Sequence, residues 1–253
     1  MTEELSHIDA QREHEILRQA LDSSQDHNLD TGKTVGVKKQ FLRDVRNEML
    51  ALDPKDTPAL LETLDRYLHE YDSSEEDFGT MAEYLPYRVP NAGYRSGFPY
   101  FLIIFKSTNC NELNSVCCHF TRWSMNIHLT DQEYESIREF EWTLGEVLAL
   151  TNDYYSWQKE KLQSTDRIRN GVHVLMREYN LPQEQARSLL RGMIIDLEEK
   201  AKTLKMERLK NGPPMSNDLK RYMEALEIYA GGNCYWSATC PRYNKPQESE
   251  DVL

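Results

Sequence analysis

Apolar residues recur at helical spacing along most of this 253-residue chain, and helix-breaking residues fall between the periodic segments. Val37, Phe41, Leu42, Val45, Met49 and Leu50 stand at helical spacing. Ile8, Ile16, Leu17 and Leu21 suggest an amphipathic helix within residues 1–22, ahead of a Ser-, Asp-, Asn- and Gly-rich loop over 23–36. Asp56-Thr57-Pro58 is a helix-opening sequence: a capping side chain, then a proline whose missing N–H is harmless in a first turn. That helix is predicted to reach about Tyr71. Another is expected after Asp72-Ser73-Ser74, carrying Met81, Tyr84, Leu85 and Tyr87. Asp131-Gln132-Glu133 opens a long helix to about Leu162, with a break expected near Gly145, since acidic residues suit a helix N-terminus. Further helices are predicted over about 168–179, from Leu181-Pro182 to about Leu209, and over 218–229. Asn211-Gly212-Pro213-Pro214 ends the second of these, and Gly231-Gly232 precedes the segment 233–243. The polar tail 244–253 is expected to be disordered. The fold class is therefore all-α, a single helical bundle over residues 1–243. Only 94–120 lacks a clear period.

Composition removes several function classes. Net charge is −12, so a general basic surface for nucleic acid is excluded; a local pocket for divalent cations is not. No run of 18 apolar residues occurs, so no integral membrane segment is expected. The five cysteines (Cys110, Cys117, Cys118, Cys234, Cys240) are odd in number and contain no C-x-x-C pair. With no secretory leader in view, they predict buried thiols in a reduced, cytoplasmic setting.

The segment Asn152-Asp153-Tyr154-Tyr155-Ser156-Trp157-Gln158-Lys159-Glu160 carries the chemistry. Asn152, Ser156 and Glu160 are spaced i, i+4, i+8, which puts them within about 80° of arc on one helix face. They offer an amide oxygen, a hydroxyl and a carboxylate. Hard oxygen ligands suit Mg²⁺, which with few protein ligands keeps positions open for substrate phosphate oxygens. Lys159 could donate to the same phosphate. Three polar residues at this spacing also describe an ordinary exposed helix face.

The whole string, Asn-Asp-x-x-Ser-x-x-Lys-Glu, resembles the metal-binding triad of class I terpene cyclases. Gly232-Asn233, Trp236-Ser237 and Arg242-Tyr243 resemble the family's C-terminal element, whose Arg-Tyr pair holds the substrate diphosphate. Glu83-Tyr84-Leu85-Pro86-Tyr87-Arg88-Val89-Pro90-Asn91-Ala92-Gly93 resembles the segment with the diphosphate-sensing arginine, here Arg88. The chain is similar to the cyclase half of fungal fusicoccadiene- and ophiobolin-type synthases. The resemblance implies that Arg88, Lys159, Arg242 and Tyr243 clamp a linear prenyl diphosphate (C20 or C25, or C15) beside Mg²⁺ held by Asn152, Ser156 and Glu160. Ionisation would leave an allylic carbocation to cyclise among aromatic faces, with Trp236, Tyr84, Tyr87, Tyr155 and Trp157 as candidates. A separate prenyltransferase would supply the substrate.

Two features depart from the family pattern. It calls for an Asp-rich motif on a facing helix, and this chain has no Asp-Asp pair. Met1-Thr2-Glu3-Glu4 would complete one if two aspartates preceded it, which makes Glu3 a candidate metal ligand and the bundle incomplete at its N-terminus. Residues 98–120 look like an insertion, either a genuine loop or a short intron translated in frame. Both features predict weak or absent activity for the chain as written. The alternatives are a non-catalytic degenerate cyclase fragment, and an isoprenyl diphosphate chain-elongating transferase, which needs two Asp-rich motifs.

Overall fold

The computed structural model describes residues 7–22, 33–70, 77–92, 116–162 and 169–244. Among them there are nine helices and no strand: α1 (His7–Leu21), α2 (Lys33–Leu52), α3 (Thr57–Glu70), α4 (Met81–Asn91), α5 (Val116–Met125), α6 (Asp131–Glu160), α7 (Gly171–Glu178), α8 (Gln183–Asn211) and α9 (Asn217–Thr239). The all-α expectation holds. Glu3, the stretch 98–115 and the tail beyond Asn244 lie outside the described residues. No described helix is long and apolar enough to cross a membrane.

The helix ends follow local chemistry. Thr80 and Glu83 form a reciprocal capping box: Thr80 Oγ1 accepts from the Glu83 N–H at 3.3 Å, and Glu83 Oε2 accepts from the Thr80 N–H at 3.2 Å. That box starts α4 at Met81, later than the helix expected after Asp72-Ser73-Ser74. Thr130 and Glu133 repeat the arrangement at the head of α6. Asn126 and Asn180 each take φ of 50° beyond a helix end. The next N–H of each, on Ile127 and Leu181, returns to the carbonyls of Arg122 and Met176. These are Schellman ends, in which asparagine tolerates the left-handed conformation.

Three expectations give way. Helix α6 runs unbroken through Gly145, which is buried inside it. Helix α9 continues through Gly231-Gly232, where flanking buried residues such as Leu226, Ala230 and Ser237 outweigh glycine's low helix propensity. Val116–Phe120, read as lacking a helical period, is the first half of α5, with Cys118 fully buried.

The described residues group into two compact units. The first draws on Met1–Glu76, Pro90–Glu135 and Ser216–Tyr222; the second on Asp77–Val89, Ser136–Met215 and Met223–Leu253. In the first, α1 packs on α2 and α3, and α3 packs on α5. Its core buries Ala20, Leu60, Cys118, Leu219 and Tyr222 completely. Arg122 is buried there too, its Cζ lying 4.9 Å from the Tyr134 ring centre and 5.5 Å from that of Tyr222. In the second unit, Phe78, Met81, Tyr84, Leu150, Trp157, Val172, Leu175 and Leu190 form one apolar cluster. This cluster backs the candidate site.

Candidate metal and diphosphate site

The triad helix presents two faces. Leu144, Val147, Leu148 and Leu150 of α6 are buried, which fixes the helix in place. Asn152, Asp153, Ser156 and Glu160 then fall on its last two and a half turns, beside the start of α7 and the end of α4.

Asp153 is the most enclosed of them. Only 1% of its side chain is exposed. Oδ1 accepts from Arg88 Nε at 2.8 Å, and Oδ2 accepts from the Tyr84 hydroxyl and the Gly171 N–H, each at 2.8 Å. Burial pushes this carboxyl above its usual range, against the pull of Arg88, Tyr84 and Gly171. Burial, followed by the charge on Asp153, pushes the Tyr84 phenol well up, so Tyr84 acts as a donor. A Cβ at position 171 would sit 3.1 Å from Asp153 Oδ2 and 3.4 Å from Leu190 Cδ1. The close approach of α7 to the carboxylate is what requires glycine there.

Asn152 links two other groups. Its Oδ1 accepts from Arg88 Nη2 at 2.8 Å, and its Nδ2 donates to the Tyr243 hydroxyl at 2.9 Å. The Tyr243 ring packs edge-on to Trp236, centroids 5.7 Å apart, and Arg242 Cζ lies 5.7 Å from the same ring. Lys159 is half-buried in the last turn of α6.

Ser156 and Glu160 converge on a single atom. Asn170 Nδ2 lies 3.2 Å from Ser156 Oγ, 2.9 Å from Glu160 Oε2 and 2.9 Å from the Asp153 carbonyl oxygen, three acceptors that share its two hydrogens. Asn170 Oδ1 caps α7 by accepting from the Val172 N–H at 2.9 Å.

The structure thus gathers Arg88, Asn152 and Tyr243 around one amide, and Ser156 and Glu160 around another. Arg242 joins the first group through Tyr243. Two aromatic candidates turn out to be core: Tyr84 is fully buried and Trp157 is 4% exposed within the apolar cluster. Tyr87 accepts from Arg169 Nη1 at 2.8 Å. Sequence reading passed over Asp153 and Asn170. Asp153 is adjacent to Asn152 in the motif and was legible as a buried partner for Arg88. Asn170 had no signal beyond its place at a helix start.

The donor set fits a hard cation. No group of three His, Cys, Asp or Glu that could hold a metal occurs among the described residues. An amide oxygen, a hydroxyl and one carboxylate instead lie along the last turns of α6, the amide oxygen engaged by Arg88 and the other two sharing Asn170 Nδ2.

Residues 113–200 match the family described as terpene synthase family 2, C-terminal metal binding; the match contains Asn152, Ser156, Lys159, Glu160 and Asn170. Fusicoccadiene synthase of Phomopsis amygdali is 28% identical over 241 residues, covering 91% of this chain and 30% of that protein. Sesterterpene synthase btcA of Colletotrichum orbiculare is 26% identical over 259 residues, covering 99% and 34%. The chain therefore spans about a third of the length of these curated relatives. Among solved structures, aristolochene synthase from Penicillium roqueforti has a TM-score of 0.68 at 20% identity, covering 94% of this chain and 72% of that one. A variant of cucumene synthase has a TM-score of 0.68 at 15% identity, covering 94% and 74%. These two likenesses establish the fold, a class I terpene synthase bundle.

Proposed function

We propose that this chain, whose residues 113–200 match a terpene synthase family described as C-terminal metal binding, is a Mg²⁺-dependent class I cyclase. It would ionise a linear prenyl diphosphate of C20 or C25 chain length, or C15, and cyclise the resulting carbocation. The observation that carries this reading is that one helix, α6, bears both groups: Ser156 and Glu160, which share Asn170 Nδ2, and Asn152, on which Arg88 and Tyr243 meet.

In this reading Asn152, Ser156 and Glu160 hold the cation. When bound, Mg²⁺ supplies Lewis-acid stabilisation of the departing diphosphate. The chain's own cations do the rest. Arg88, Lys159 and Arg242, with the Tyr243 hydroxyl, orient the diphosphate and offset its charge as the C–O bond lengthens. Asp153 holds Arg88 in place. Trp236 and Tyr155 offer aromatic faces to the cation that forms. The similarity to a sesterterpene synthase supports including C25 among the substrates. A separate prenyltransferase supplying the substrate, and a cytoplasmic setting, complete the proposal.

The test is incubation with C15, C20 and C25 prenyl diphosphates, with Mg²⁺ or with EDTA, followed by mass spectrometry of the hydrocarbons. Cyclised product with Mg²⁺, formed slowly as the two departures from the family pattern predict and lost in EDTA and in Glu160→Ala, is the expected result. Product that persists in EDTA or in Glu160→Ala contradicts the assignment.

A further inference from the structure

We propose that Asn170 is a positioning residue for the cation site: its amide NH₂ sets the Ser156 hydroxyl and the Glu160 carboxylate side by side before any ion binds. The inference rests on the proposal that Ser156 and Glu160 are cation ligands, and deepens it.

Glu160 is the last residue of α6. Asn170 Nδ2 holds its Oε2 at 2.9 Å, and the same nitrogen lies 3.2 Å from Ser156 Oγ. Asn170 is fully buried, its Oδ1 is taken by the Val172 N–H, and the Asp153 carbonyl, 2.9 Å from Nδ2, shares its two hydrogens. An amide fixed at both ends cannot swing to serve some other partner. The bridge engages Oε2 of Glu160 and one acceptor position of a hydroxyl that has two. It therefore orients both side chains. Groups that orient a metal's ligands from behind are commonly worth 10–100-fold in metal affinity.

Asn170 has a second task, capping α7, and the two can be separated. Serine caps a helix about as well as asparagine but is too short to span the distance to Glu160. Alanine loses both functions. The full chain and its Asn170→Ser, Asn170→Ala and Glu160→Ala variants would be titrated with Mn²⁺ in the presence of inorganic pyrophosphate, with free Mn²⁺ read by electron paramagnetic resonance. The thermal midpoint Tm of each would be measured without metal.

The expected result is that Asn170→Ser and Asn170→Ala weaken Mn²⁺ binding about equally, by roughly 10–100-fold, while only Asn170→Ala lowers Tm clearly. Wild-type affinity in Asn170→Ser overturns the proposal. So does an affinity loss that tracks Tm, since Asn170 would then act only as a cap. Failure of the underlying ligand reading looks different: Glu160→Ala would bind as the wild type does, or the wild type would bind no Mn²⁺ at all, and either result removes the inference with it.

Discussion

Arg88 and Asp153 form an ion pair inside the second unit, Nε to Oδ1 at 2.8 Å, with side chains only 6% and 1% exposed. Removing one partner strands the other charge out of water, which typically costs about 3–5 kcal/mol. Arg88→Ala and Asp153→Ala are each expected to lose stability on that scale. The double variant should lose clearly less than the sum, because neither charge is left alone. Denaturant unfolding of the four proteins measures this; strict additivity would mean that the pair is not coupled.

Glycines of opposite character bracket the site. At Gly171 an added methyl meets Asp153 Oδ2 at 3.1 Å, and Asp153 is held by three donors, so it cannot yield. Gly171→Ala should cost about 1–3 kcal/mol. At Gly231 and Gly232, on the exposed side of α9, an added methyl meets nothing within 4 Å. Alanine at either position should stabilise by roughly 0.5–1 kcal/mol through helix propensity alone. A rise in Tm at 231 or 232 beside a fall at 171 is the expected pattern, and thermal unfolding followed by circular dichroism reads it.

His119, in the first unit, gives the chain a pH-dependent element. Burial, and then the Arg122 charge, pull its pKa down from 6.5 to about 4. Its Nδ1 lies 3.0 Å from Thr63 Oγ1. The unfolded chain takes up this proton near pH 6.5, whereas the folded chain resists until about pH 4. The unfolded state therefore binds more protons across that window, and stability falls as pH drops through it. His119→Gln should flatten that part of the stability profile. Urea midpoints between pH 7.5 and 4 that run parallel in the two proteins would argue against it.

The helical architecture was legible because apolar periodicity and capping chemistry are local. Asp131-Gln132-Glu133, or Asn211-Gly212-Pro213, announce their helix ends from sequence alone. Gly145 and Gly231-Gly232 misled for the converse reason: whether glycine breaks a helix depends on what the flanking residues bury, and Leu226 and Ala230 reveal that only when folded. In the candidate site, Asn152, Ser156 and Glu160 could be placed on one face of α6 from their spacing. The resemblance to class I terpene cyclases supplied Arg88 and Tyr243, and the structure sets both against Asn152. Asn170 escaped notice because it meets Ser156 and Glu160 from ten or more residues further along the chain, which no periodicity encodes. Tyr84 read as a lining aromatic, and its hydroxyl instead serves the buried carboxylate of Asp153.

The central claim, that the end of α6 holds a divalent cation and a diphosphate together, is tested most directly by calorimetric titration of the chain with inorganic pyrophosphate. The account predicts binding in Mg²⁺, no binding in EDTA, and none in an Asn152→Ala, Glu160→Ala double variant that keeps its helical circular dichroism. Pyrophosphate binding that is unchanged by EDTA and by the double variant would contradict it, as would no binding at all in Mg²⁺.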